Sequence, residues 1–142
     1  MRESLERIAV SSDDLKMLGS ALQHYIDNAN ATWAILVTRS GQMLAQRGFL
    51  SSFDLVTIAA LTGGIFNSTM ALAELLGEKA FDEFLQEGKQ VSLFYLLLGG
   101  DFFLVSMFDD RTLPGVIKTA SERFAVDVER VLLKIIEKMR RK

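Results

Sequence analysis

Residues 52–77 read SFDLVTIAALTGGIFNSTMALAELLG and form the longest stretch with helical spacing in the chain. Ser52 is the predicted N-cap, and Asp54 lies in the first turn, where its negative charge meets the positive end of the helix dipole. Gly77 is predicted to end the helix in the left-handed conformation. One side repeats large aliphatic residues, and we expect it to face the core: Ile58, Leu61, Ile65, Leu72 and Leu76.

The other side of this predicted helix is short of charge and rich in small residues. Such a face usually meets another helix or another protein. We therefore interpret it as the first functional clue, and it contains Val56, Ala59, Ala60, Gly63, Phe66, Asn67, Met70 and Glu74. Gly63 and Gly64 each cost the helix about 1 kcal/mol relative to alanine, and close approach of another backbone is the simplest reason for them.

The composition limits the function classes. A chain of 142 residues is expected to form one domain, and a net charge of −2 argues against general nucleic-acid binding. The chain has no cysteine and a single histidine, which argues against a metal site and a thiol nucleophile and fits a cytoplasmic protein.

The rest of the chain is predicted to add two helices and five strands. Ser11 begins the first helix and Asn28–Asn30 ends it; residues 32–39 and 42–49 form a hairpin whose second strand is an edge. Thr112 is the predicted cap of the last helix, with Pro114 in its first turn. Residues 78–87 fit either a continued helix or a short strand, and the strand is favoured because Gly88 ends it.

Residues 91–108 are apolar and as long as a membrane span. Gly99, Gly100 and Asp101 in their middle favour a hairpin instead. Its two strands are apolar on both sides, which requires helices on both faces of the sheet and predicts three layers, an α/β/α sandwich. We expect residues 1–10 to be frayed, 11–125 to form the domain, and 126–142 to extend the last helix.

Catalytic signatures are missing from the sequence. GxxxxGK[ST], GxGxxG and GxSxG do not occur, and His24 would have to serve a Ser-His-acid triad as the single histidine of the chain. The acidic pairs at 13–14, 82–83 and 109–110 point in different directions within each pair, so none forms an acid/base pair. Arg39 and Arg47 flank the first hairpin; an arginine finger toward a nucleotide on a partner is one reading, and solvated strand-edge charges are the favoured one.

Four segments resemble the Roadblock / dynein light chain family. They are ATWAILVTRSGQMLA at 31–45, ALAELLGE at 71–78, KQVSLFYLLLGGDFFLVSMFDD at 89–110 and LPGVIK at 113–118. The resemblance runs from about Ala31 to Arg123 and is strongest to the gliding-motility branch of the family, whose members regulate a Ras-like GTPase in cell polarity.

The resemblance implies a five-stranded antiparallel sheet and a homodimer formed through the third strands and the second helices. It implies that the dimer binds a Ras-like small GTPase and stimulates its GTP hydrolysis without an arginine finger, a catalytic residue, a cofactor or a metal. The alternative is an adaptor that binds partners without changing hydrolysis.

The resemblance also implies which residues form each contact. The implied GTPase platform is Ala60, Gly63, Asn67, Ala71 and Glu74; the implied dimer interface is Val56, Ala59, Gly64, Phe66, Met70, Phe81 and Phe84. Gly63→Arg or Ala71→Arg is expected to abolish the effect on the GTPase without unfolding the dimer.

Overall fold

The computed structural model describes residues 10–51 and 53–141. Its helices and strands follow one another in the predicted order. The ambiguous segment 78–87 contains the favoured strand, which occupies only the second half of that segment. The elements are α1 (Ser12–Ala29), β1 (Trp33–Thr38), β2 (Met43–Gly48), α2 (Leu55–Leu75), β3 (Glu83–Glu87), β4 (Ser92–Leu98), β5 (Phe102–Phe108) and α3 (Pro114–Arg140).

The five strands form one antiparallel sheet in the order β2-β1-β5-β4-β3. The central strands β1 and β5 are buried along their whole length. Two apolar clusters explain this: α1 and α3 cover one face around Leu22 and Phe124, and α2 covers the other around Phe66. The predicted three-layer α/β/α sandwich is therefore confirmed, and both β2 and β3 are edge strands.

The orientation of α2 differs from the prediction. Ala59 and Phe66 are 1% exposed and face the sheet, where the Phe66 ring stacks on Phe103 with centroids 4.4 Å apart. Leu61 and Leu72, predicted to be core, are 63% and 50% exposed. Leu76 is also exposed, whereas Ile58 and Ile65 are partly buried against the α2-side cluster. Small residues on the inner face let the helix approach the sheet, so packing, and not the size of the aliphatic residues, decides which side is buried.

Two predicted helix caps are corrected. Asp54, and not Ser52, is the N-cap of α2, since its Oδ1 accepts a hydrogen bond from the Thr57 N–H at 3.2 Å; Ser52 lies outside the described residues. The N-cap of α3 is Leu113 rather than Thr112, and it makes no side-chain cap bond because leucine has no hydrogen-bond acceptor. Pro114 is tolerated at the first helical position, where the missing N–H would have no partner within the helix.

The other predicted helix ends are confirmed. The Ser11 side chain accepts from the Asp14 N–H, and Asn30 ends α1 in the left-handed conformation. Gly77 has φ +80°, and the Glu78 N–H donates to the Ala73 carbonyl at 2.9 Å, the bond of a Schellman stop.

The apolar segment 91–108 is a β-hairpin, as predicted. The helix long and apolar enough to cross a membrane, among the described residues, is instead α2, which has a mean hydropathy of 1.5 with 22% of that stretch buried. Because its inner side packs on the sheet through Ala59, Phe66 and Ala73, its length and composition alone are weak evidence for a span.

An ion pair joins α1 to α3. Lys134 Nζ lies 3.0 Å from Asp14 Oδ1, and Asp14 is 5% exposed. Burial opposes ionisation of this carboxyl, but the hydrogen bonds from Lys134 and Ser11, together with the charges of Lys134 and Lys138, hold its pKa below the usual value.

This ion pair predicts a pH dependence of stability. Because the folded pKa of Asp14 is lower than the unfolded value of about 3.8, the ionised carboxylate stabilises the fold above that pH, and the contribution is lost as pH falls through the folded pKa. We expect the free energy of unfolding to fall more steeply below about pH 4 in the wild type than in Asp14→Asn. Urea denaturation across the acid range measures both slopes; parallel slopes would contradict the assignment.

Candidate partner-binding surface

The two flanks of α2 face different parts of the molecule. The β1–β2 turn lies against one flank: a Cβ at Gly63 would be 2.8 Å from the Gly41 Cα, and a Cβ at Gly41 would be 3.4 Å from the Ala60 Cα. We call this the hairpin flank. We call the side of α2 that is turned away from this turn the opposite flank.

The opposite flank and the outer surface of α2 carry an apolar ridge. Most of it is exposed in a single chain, with Ile65 and Thr69 half-buried, and it is lowest at Gly64, whose Cβ position has nothing within 4 Å. The ridge consists of Leu61, Gly64, Ile65, Ser68, Thr69 and Leu72. None of these six residues is charged, so the ridge has the character of an interface rather than of a solvated helix face.

A hollow of about 440 Å³ lies on the hairpin flank. Two hydrogen bonds fix its wall: Asn67 Nδ2 donates to the Arg39 carbonyl at 2.6 Å, and the Arg39 guanidinium donates to the Gly100 carbonyl at 3.2 Å. These bonds join α2 to the β1–β2 and β4–β5 turns. Charged and small side chains line the rest of the hollow, among them Glu74, Lys79, Ala71 and Ala80.

The predicted platform residues lie together, with one correction. Ala60, Asn67, Ala71 and Glu74 are all exposed on α2, and the last three line the hollow. Gly63 is buried beneath the β1–β2 turn and offers no surface. Another backbone does approach Gly63 closely, as expected, but it is that of Gly41 in the same chain.

The residues predicted to form the dimer interface do not share one surface. Ala59 and Phe66 lie in the core of a single chain, so their assignment to a dimer interface is wrong. Val56 is 54% exposed and Gly64 is exposed, whereas Met70 and Phe84 are partly buried against the α2-side cluster. Phe81, just before β3, is also partly buried.

Sequence reasoning missed Leu61 and Leu72 as surface residues and Arg39 as part of the hollow. The sequence did carry a signal for the two leucines. Residues 55–75 contain a single charged residue, Glu74. A helix of this composition that packs one face on a sheet must therefore leave apolar side chains exposed on its other face. For Arg39 the decisive contact is with Gly100, which is distant in sequence and gives no local pattern.

The two arginines of the first hairpin point to different faces of the sheet. The Arg39 side chain lines the hollow beside α2. The Arg47 guanidinium instead lies over Gly19 of α1, where a Cβ would be 2.8 Å from Cζ. Arg47 therefore lies away from the α2 surface.

The titratable groups with shifted pKa values are explained by structural contacts. Hydrogen bonds from the Thr57 side chain and backbone lower the pKa of Asp54, and those from Arg111 lower the pKa of Asp109. Burial raises the pKa of Tyr95 to about 12, with its hydroxyl donating to Gln86. His24 is exposed with Nε2 3.0 Å from Asn28 Nδ2, and the described residues contain no cluster of three metal-ligating side chains.

Solved structures of bacterial proteins share this fold. Myxococcus xanthus MglB is 25% identical, with a TM-score of 0.84 over 88% of this chain and 94% of that chain. The gliding protein MglB from Thermus thermophilus is 28% identical, with a TM-score of 0.79 over 85% of this chain and 92% of that one. An MglB structure described as having a tetrameric arrangement is 27% identical, with a TM-score of 0.82 over 88% and 94%.

Comparison with curated protein sequences gave no match. The family model described as the Roadblock/LC7 domain matches residues 17–108, which is more than half of the chain. That range runs from α1 to the end of β5 and contains both the apolar ridge and the hollow. The chain belongs to the Roadblock/LC7 family.

Proposed function

We propose that this chain is a homodimeric, non-enzymatic regulator of a Ras-like small GTPase, which stimulates GTP hydrolysis through the paired α2 helices. The observation that carries the proposal is the outer surface of α2, where an uncharged apolar ridge lies beside a polar hollow on the same helix. The first surface suits self-association and the second suits a protein partner, so one helix serves both contacts.

The ridge supports self-association because it is self-complementary. In an antiparallel pair of α2 helices related by a twofold axis near residues 66 and 67, Leu61 of one copy faces Leu72 of the other. Gly64 near the centre lets the helices approach closely. β3 is an edge strand of the sheet, so β3 edges of two chains can also pair and join the two sheets.

The relatives support the same assignment. Three of the similar structures carry the MglB name; one of them is described as a gliding protein and another as having a tetrameric arrangement. We propose a cytoplasmic role in cell polarity and gliding motility for this chain as well. An adaptor that binds the GTPase without affecting hydrolysis remains the alternative, and the hydrolysis assay separates the two.

A surface substitution tests the GTPase contact. Ala71 is exposed and lines the hollow, so Ala71→Arg is expected to fold normally and to remove stimulation of a purified Ras-like GTPase from the same source. We expect at least a tenfold loss of the stimulated rate, the effect of about 1.4 kcal/mol. Single-turnover GTP hydrolysis is the measurement.

Gln23→Arg is the matched control for Ala71→Arg. It adds the same charge on exposed α1, which covers the opposite face of the sheet, and it is expected to leave hydrolysis unchanged. Wild-type binding without a rate change would favour the adaptor. Absence of both binding and stimulation with every such GTPase would refute the proposal.

A further inference from the structure

The face of the sheet opposite α2 has an apolar cleft of its own. It lies between α3 and the end of β4 and has a volume of about 260 Å³. Two aliphatic side chains on its α3 wall are exposed to solvent, Val126 by 72% and Leu133 by 56%. The two residues are seven positions apart, so they lie on one side of the helix two turns from each other.

This wall of α3 faces the β3 edge. Lys118 Nζ lies 2.8 Å from Glu83 Oε1 on β3. Lys118 is four turns before Leu133 and lies on a similar side of the helix. Leu85 packs against the cluster formed with α1 and α3, whereas Phe84 packs against the α2-side cluster. Because side chains alternate along a strand, Glu83 and Glu87 share the α3 side with Leu85.

Pairing of β3 edges in the proposed dimer would turn two such clefts into one trough. The α3 helix packs above β4, and two β4 strands separated by paired β3 strands lie three strand spacings apart, about 14 Å. Helices in contact are about 8–10 Å apart. The two α3 helices are thus too distant to pack on each other, and close enough for a further helix to bridge them.

The charged residues around the trough indicate which kind of ligand it would bind. Glu129 lines the cleft, Glu122 precedes it by two turns on the same side of α3, and Glu83 and Glu87 lie on the α3 side of β3. Lys118 pairs with Glu83, and within residues 10–51 and 53–141 no salt bridge engages Glu87 or Glu129. A dimer doubles this number of carboxylates around four exposed aliphatic side chains. An occupant therefore needs an apolar face bordered by cations.

We propose that this trough binds a basic amphipathic helix of a partner protein, on the face of the dimer opposite the GTPase-binding surface. The inference rests on the homodimer of the proposed function. The apolar face of the helix packs on Val126 and Leu133 of both chains, and its lysines or arginines pair with the Glu129 carboxylates along the rim. Such a site would let the regulator hold a second protein while α2 engages the GTPase.

The probe is a fluorescein-labelled Lys/Leu peptide of about 18 residues, roughly 27 Å long as a helix. We expect saturable binding by fluorescence anisotropy, and hydrogen–deuterium exchange protection in 83–87 and 122–136 but not in α2. Leu133→Asp and Glu129→Lys should each weaken binding at least about tenfold. Added salt should weaken binding to the wild type more than to Glu129→Lys.

Two controls separate a site from general attraction between charges. A peptide of the same composition with a scrambled, non-amphipathic order should not bind, and Glu78→Lys, an equal charge change outside the trough, should bind as the wild type does. Equal binding of the scrambled peptide, or protection confined to other regions, would overturn the inference. Light scattering on the same sample distinguishes the failures: a monomer overturns the dimer as well, whereas a dimer without protection at the trough overturns only this inference.

Discussion

Leu61→Glu is expected to convert the proposed dimer into a folded monomer. The side chain is 63% exposed in a single chain, so a carboxylate there remains solvated and the monomer keeps its stability. In the dimer the same carboxylate would lie against the Leu72 side chain of the second copy, without a partner. Removing one buried leucine contact from each copy forfeits about 3–6 kcal/mol in total, because each contributes about 1.5–3 kcal/mol.

A loss of that size raises the dissociation constant at least about a hundredfold. Sedimentation velocity over a concentration series measures it, and circular dichroism checks that the monomer is folded. Leu113→Glu is the matched control, since Leu113 is 68% exposed at the start of α3, remote from the ridge. An unchanged dimer in Leu61→Glu would show that the ridge is not the interface.

The fold was predictable from sequence because the strands carry two kinds of information. Gly99 to Asp101 place a turn in a long apolar run, and the strands on either side of it lack polar alternation. The first feature requires a hairpin, and the second requires cover on both faces of the sheet. Three helices with helical spacing then provide that cover, which leaves little choice of architecture.

The orientation of α2 was not predictable in the same way. Its two sides are both apolar, so the periodicity identifies a helix without deciding which side meets the sheet. We expected the large aliphatic residues to be buried, yet Ala59 and Gly63 face inward because the helix lies close to the sheet and to Gly41. That choice depends on the position of the β1–β2 turn, a contact between segments about twenty residues apart. Consequently the residues expected in the core became the candidate dimer surface.

Gly63→Ala is expected to destabilise the chain itself. A Cβ at this position would lie 2.8 Å from the Gly41 Cα, closer than Cβ atoms approach other atoms, and 3.2 Å from the Gly41 N, which is a tight contact. Gly41 has φ +88° in a tight hairpin turn, so its backbone cannot withdraw without disturbing β1 and β2. Overpacking of this kind costs about 1–3 kcal/mol, and it opposes the roughly 1 kcal/mol that alanine gains over glycine in a helix.

Urea denaturation of Gly63→Ala beside Gly115→Ala isolates this effect. Gly115 is also helical, but its Cβ position has nothing within 4 Å, so alanine there should be neutral or stabilising. A Gly63→Ala variant as stable as Gly115→Ala would contradict the close contact with Gly41.

The same geometry changes the expected behaviour of Gly63→Arg. An arginine cannot fit beneath the β1–β2 turn, so this variant should lose its effect on a GTPase because the turn and α2 separate, and not because a binding surface is blocked. Hydrogen exchange of β1 and β2 should therefore rise in Gly63→Arg and stay at the wild-type level in Ala71→Arg. Both variants would be inactive toward a GTPase, and only Ala71→Arg would report on the surface that binds it.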